Sequence, residues 1–150
     1  MELRRSINQS RPWKDENATD ARTEWKVQWS FGTMSVDGSY RLRSLETKTT
    51  ITYTLPRWAP GAESSKALRD HWARYSAAIR THEEGHARIA LVAAGEMRRR
   101  INALPEAPTA RSLEKQINDT ADKVVAEYRE IEAAYDSKTT HGASQGAHFP

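Results

Sequence analysis

The residues best equipped for chemistry stand together at Thr81-His82-Glu83-Glu84-Gly85-His86, which fits the pattern HExxH. On a helix, His82 and His86 share one face and lie about one turn, ~5.4 Å, apart. Two imidazoles so placed can converge on one zinc ion at roughly 2.0–2.1 Å each. Glu83 follows the first ligand and points beside the ion, where it can take a proton from a polarised water. The competing reading is a pair of histidines that only pack on a helix face. The spacing and the glutamate between them favour a metal, one Zn2+ per chain.

A catalytic zinc keeps three protein ligands and an open position, so a third donor must come from elsewhere. His71 is rejected, because it lies roughly 16 Å from His82 along the same helix. The extended HExxHxxGxxH form is absent, since Ile89 and Val92 occupy its later positions. Three candidates follow Tyr128: Glu132 and Asp136 near the inner face of a second helix, and His141 at its exit, before Gly142. His141 is the preferred third ligand. Asp136 is the alternative ligand, or a carboxylate that orients a ligand histidine. Tyr135 or Tyr128 can donate a hydrogen bond to a developing oxyanion; of the two, Tyr135 adjoins the candidate ligands.

These residues need elements to hold them. A short helix is expected at 2–9, followed by a loop through Asp15 to Asp20, within a polar segment 1–22. In the β part, 23–60, Trp25, Val27, Trp29 and Phe31 alternate with polar residues, the period of a half-buried strand. Gly32 is expected to end that strand, and Asp37-Gly38 signals a turn. Tyr40 and Leu42 alternate in one phase, whereas Leu45, Thr47, Thr49, Ile51, Tyr53 and Leu55 follow the other. This shift near Ser44 suggests a bulge or break. Segment 64–136 reads as a helical pair. Ser64 or Ser65 caps the first helix, whose stripe runs Leu68, Trp72, Tyr75, Ile79, His82, His86, Ile89, Ala93 and Met97. Pro105 separates it from a second helix, capped by Thr109 or Ser112. That helix carries Leu113, Ile117, Ala121, Val124, Tyr128, Ile131 and Tyr135. The pair should pack antiparallel. The tail, 137–150, reads as irregular and close to the site, with His141 as its anchor through zinc. The fold class is therefore α+β: a small antiparallel sheet followed by two long packed helices, in one domain over 1–150.

Composition removes other classes. The 150 residues contain no cysteine, which excludes disulfide scaffolds, cysteine zinc fingers and thiol nucleophiles. A net charge of +3 is too small to require a nucleic-acid partner. Arg98-Arg99-Arg100 suits a solvated helix C-terminus, and a nucleic-acid contact there is the weakest functional reading. No run of about 18 apolar residues is present, so no membrane span is expected. Arg4 and Arg5 are not followed by an apolar stretch, so no signal peptide is expected either.

The His82–His86 motif is followed by Tyr135-Asp136-Ser137-Lys138-Thr139-Thr140-His141-Gly142-Ala143-Ser144-Gln145-Gly146-Ala147. Upstream lie Thr23-Glu24-Trp25-Lys26-Val27-Gln28-Trp29 and Leu55-Pro56-Arg57-Trp58. Together these resemble a bacterial family of uncharacterised proteins described as predicted secreted zinc-dependent proteases. The resemblance implies a zincin-like metallopeptidase, a peptide or protein substrate, and a periplasmic or secreted location. It also implies that Tyr135, Asp136, His141, Gly142 and Gln145 belong to the site region. The expected function is zinc-dependent peptide hydrolysis, with Glu83 as base. The alternative is a zinc-dependent binding or regulatory module without turnover.

Overall fold

The computed structural model describes residues 2–12 and 19–148. Its elements run α1 (Glu2–Ser10), β1 (Arg22–Val36), β2 (Ser39–Thr54), α2 (Lys66–Asn102), α3 (Ala110–Thr139) and a short 3-10 turn at Ala143–Gln145. Two antiparallel strands followed by two long packed helices make an α+β protein. The loop expected after α1 falls largely on residues 13–18, outside the described residues. Among the described residues no helix is long and apolar enough to cross a membrane.

Contacts group the chain into two compact units. The first comprises 1–24, 52–87 and 133–150; the second comprises 25–51 and 88–132. In the second unit the hairpin turns at Asp37 and Gly38, whose φ values of 49° and 85° are both left-handed, as a two-residue type I′ connection requires. The first strand does not stop at Gly32, as the sequence suggested, but continues to Val36. Gly32 serves a close approach instead: a Cβ there would lie 2.9 Å from Ser44 Oγ. The phase shift near Ser44 is real. Arg43 and Ser44 are both exposed, and the half-buried positions change from Tyr40 and Leu42 to Leu45, Thr47, Thr49 and Ile51.

The core of this unit joins Trp25 and Val27 to Ala90, Ala93, Ala94, Met97 and Ile101 of α2, and to Leu113, Ile117, Ala121 and Val124 of α3. Small residues on both helices let their backbones approach, and Met97, Ile101 and Ile117 fill the remaining space. Ala90 rather than Ile89 takes the inner position, because a straight helix of 3.6 residues per turn drifts relative to a strict three-four spacing. Ile131 is likewise exposed, not core. Its neighbour Glu132 turns inward, where its carboxylate accepts from Trp25 Nε1 at 2.9 Å and Arg129 at 2.8 Å. Arg129 also lies 3.7 Å over the Trp25 ring. The arginine run is paired: Arg99 and Arg100 bind Glu96, Arg100 also binds Glu127, and Arg98 donates to Thr47. Hydrogen bonds from Arg99 and Arg100 hold the Glu96 carboxyl down at about 2.

Helix starts follow their caps. Ser65 Oγ accepts from Leu68 N–H at the start of α2. Thr109 and Ser112 cap α3 reciprocally, each hydroxyl accepting the other's backbone N–H.

The first unit has its own apolar cluster, in which Ile7 of α1, Ala21, Tyr75 and Ile79 pack with Leu3, Leu55, Leu68, Trp72 and Ala147. A half-buried polar knot ties α1 to α2 here. The Asp20 carboxylate accepts from Arg4, Arg11 and the Tyr75 hydroxyl. Burial pushes the Asp20 carboxyl up, but the hydrogen bonds from Tyr75 and Arg4 and the charges of both arginines outweigh it, so its pKa is lowered. Asp20→Asn removes the shared anion from this part-buried knot and should cost about 1–3 kcal/mol by denaturant unfolding. The sign follows from linkage. A depressed folded pKa gives stability that is fully present above the unfolded value, about 3.9, and is lost as pH falls through the folded one. The wild-type advantage over Asp20→Asn should therefore be constant near neutrality and shrink below about pH 4.

Candidate metal centre

All of the candidate centre belongs to the first unit. Helix α2 supplies His82, Glu83 and His86, all buried. Asp136 comes from the last turn of α3, which runs to Thr139 where an irregular tail was expected. His82 Nε2, His86 Nε2 and Asp136 Oδ1 form a near-equilateral triangle: 3.3 Å between the two nitrogens, and 3.1 and 3.0 Å from them to the carboxylate. A tetrahedral ion with bonds of 2.0–2.1 Å has ligand-to-ligand edges of roughly 3.3–3.4 Å. These three residues form a group able to hold a metal ion.

The chemistry of the donors agrees with the geometry. His82 Nδ1 lies 2.9 Å from Gln145 Oε1, an amide oxygen that only accepts. A proton of His82 on Nδ1 meets that oxygen, which leaves Nε2, facing Asp136 and His86, as the atom able to bind a metal. Three such donor atoms converging at about 3 Å need a positive centre among them, a shared proton or a metal ion. Burial pushes the Asp136 carboxyl up, but hydrogen bonds to His82 and His86 and the field of His86 and His141 hold it below the usual carboxylate range. It is an anion at neutral pH, as a metal ligand must be.

His141 lies at the edge of this group. Its side chain is exposed, and Nδ1 is 3.7 Å from Asp136 Oδ1. Glu132 is engaged in the second unit with Trp25 and Arg129. The Glu83 carboxylate is held by Thr23, whose hydroxyl donates to Oε2 at 2.6 Å. Sequence reading did not single out Thr23 for this contact, and nothing local would have pointed to it.

The chain after α3 closes against His82. The helix ends with His141 N–H on Asp136 C=O and Thr140 N–H on Ser137 C=O, the two bonds of a Schellman ending. Thr140, His141 and Gly142 all have positive φ, at 51°, 50° and 83°. For a β-branched threonine this is a strained conformation, one that persists where surrounding contacts over-determine it. Those contacts are visible. A Cβ on Gly142 would lie 2.9 Å from His82 Cγ, so only glycine lets the turn press on the imidazole. Gln145 then reaches His82, and the tail is anchored by these contacts rather than by His141 alone.

Tyr135 stacks on His82, with ring centroids 5.1 Å apart and planes 11° from parallel. Its hydroxyl donates to the His82 carbonyl at 3.1 Å and accepts from Gln145 Nε2 at 3.2 Å. Here it orients His82. Gly85 makes room for it, since a Cβ at Gly85 would fall 2.1 Å from the Tyr135 hydroxyl. Helix propensity alone predicts that Gly85→Ala stabilises by about 1 kcal/mol. The expected result is the opposite sign: lower stability of the metal-free protein by denaturant unfolding. Zinc affinity should also fall about 10–100-fold, as when a residue supporting a ligand is lost.

Beside His82 and Glu83 a pocket of about 220 Å³ opens, lined also by Arg4, Thr19, Asp20 and His141. It gives small molecules access to one side of the candidate centre.

A family model described as "Bacterial protein of unknown function (DUF922)" matches residues 1–142. No curated protein and no solved structure matches the chain.

Proposed function

The chain belongs to the DUF922 family of bacterial proteins of unknown function, and within it we propose that this protein is a zinc-dependent peptide hydrolase of the zincin type. One observation carries the reading: three lone-pair donors at tetrahedral spacing stand beside a buried glutamate that lines a pocket. His82, His86 and Asp136 would hold the ion, and Gln145 and Tyr135 fix the His82 ring. A bound zinc would supply Lewis acidity, polarising a peptide carbonyl and making a water acidic near neutral pH.

The remaining chemistry belongs to the chain. Thr23 holds Glu83 Oε2, which leaves the second carboxylate oxygen to accept the proton of the attacking water. The same carboxyl then returns that proton to the leaving amine. The neighbouring pocket receives the substrate group next to the scissile bond.

A second reading, a zinc-binding module without turnover, draws on His141. A fourth protein donor closes a zinc site, and His141 Nδ1 stands 3.7 Å from Asp136 Oδ1. One experiment separates the two. Protein purified without a histidine tag is stripped with a chelator, titrated with zinc and incubated with a mixed library of fluorogenic peptides. The hydrolase reading expects cleavage that rises to a plateau at one zinc per chain and disappears on chelation. Full zinc occupancy with no cleavage of any peptide sinks it and leaves the closed module.

A further inference from the structure

The pocket beside Glu83 contains a charge arrangement that peptide hydrolysis itself does not require. Arg4 of α1 lines it together with Asp20, whose carboxylate Arg11 also contacts. Two guanidinium groups share one carboxylate, so the knot carries a net charge of +1. Tyr75 adds a neutral donor to the same carboxylate. Asp20 therefore has its acceptors filled from three sides and is a poor site for a cationic group.

Arg4 is not filled in the same way. A guanidinium has five N–H donors in a fixed fork, and Arg4 gives NH1 to Asp20. It also hydrogen-bonds the Tyr75 hydroxyl, which leaves further N–H donors of the fork for another partner. Spare donors of this kind let an arginine grip a planar carboxylate with two parallel bonds. The Arg4 side chain is about a third exposed, at 36%, whereas those of Arg11 and Asp20 are at 13% and 10%. It is the cation of the knot that a ligand in the pocket can reach.

We propose that this pocket is a carboxylate subsite, in which Arg4 selects substrates bearing an acidic group beside the bond to be cleaved. Asp20 and Arg11 hold the Arg4 fork in place rather than touching the ligand. At about 220 Å³ the space suits one short acidic side chain or one chain terminus with its flanking atoms. The proposal rests on the hydrolase reading for the word substrate, but binding of the carboxylate stands apart from turnover.

The test uses three peptides of otherwise identical sequence: one with an internal Glu and an amidated end, one with Gln and a free terminal carboxylate, and one with Gln and an amidated end. Hydrolysis is followed with zinc-loaded wild-type protein. Binding is followed by fluorescence anisotropy with zinc-loaded Glu83→Gln protein, a readout that needs no turnover. At least one carboxylate peptide should exceed the neutral one by tenfold or more in kcat/KM and in affinity, and which one does so identifies the source of the carboxylate. Arg4→Gln should bring that ratio to within twofold, and Arg4→Lys, which keeps charge without the fork, should restore part of it. Thermal unfolding of both variants checks that α1 stays docked. Hydrolysis without carboxylate preference would overturn the subsite and leave the hydrolase. Arg4-dependent binding of a carboxylate peptide with no hydrolysis would uphold the subsite and overturn the hydrolase. Equal binding of all three peptides would overturn the subsite whatever the activity.

Discussion

Asp136→Ala should leave the protein unable to retain zinc through dialysis, while His141→Ala should still hold one ion per chain. The geometry makes the asymmetry large. Asp136 Oδ1 stands 3.1 and 3.0 Å from the two imidazole nitrogens. Removing it deletes both a donor and the negative charge that offsets the cation, and two imidazoles on adjacent turns remain. Loss of a residue that merely supports a ligand costs 10–100-fold in affinity, so loss of the ligand itself should exceed about 100-fold. His141 Nδ1 lies 3.7 Å from Asp136 Oδ1, and its side chain is open to solvent. Its removal should cost less than about tenfold, the scale of an outer contact. Metal analysis of the dialysed proteins and competition with a chromophoric chelator measure both quantities. The reverse pattern would make His141 the third ligand and Asp136 the carboxylate that orients it.

That choice between Asp136 and His141 marks where sequence reading lost resolution. Helix α2 was legible because its signals are local: a serine cap, a three-four apolar spacing and HExxH within it. The hairpin was legible through Asp37-Gly38, which needs two left-handed residues. The end of α3 was not. The Gly, Ser and Thr content after Asp136 suggests irregular chain, yet the helix keeps Asp136 and Thr139 and then turns through Thr140 and His141 at positive φ. Threonine is a poor predictor of that conformation, and only the contacts with His82 explain why it is adopted there. The Asp20 knot and the Thr23 contact to Glu83 are equally invisible locally, since each joins segments far apart in sequence. Gln145 entered through family resemblance, and its role emerged only when its amide oxygen was found on His82. Ile131 misled because periodicity treats every apolar residue as core, whereas Trp25 and Arg129 draw Glu132 inward instead.

Glu83→Gln should bind zinc as the wild type does and hydrolyse peptides about 10²–10⁴-fold more slowly, the usual contribution of a general base. The substitution is nearly isosteric, and the glutamine oxygen can still accept from the Thr23 hydroxyl that now holds Oε2. Packing at this buried position therefore changes little, which matters because a buried carboxylate owes its tolerance to such a partner. Glutamine cannot take a proton from water near neutral pH, so the loss should fall on kcat with little change in KM. Thr23→Val gives the complementary result. It keeps the carboxylate but removes the hydroxyl that orients it, so activity should fall less than in Glu83→Gln, with zinc content unchanged. A Glu83→Gln protein as active as wild type would remove Glu83 from the chemistry, whatever the metal content. An inactive variant that had also lost its zinc would show that Glu83 maintains the fold of the centre, and the role of base would have to pass to another group lining the pocket.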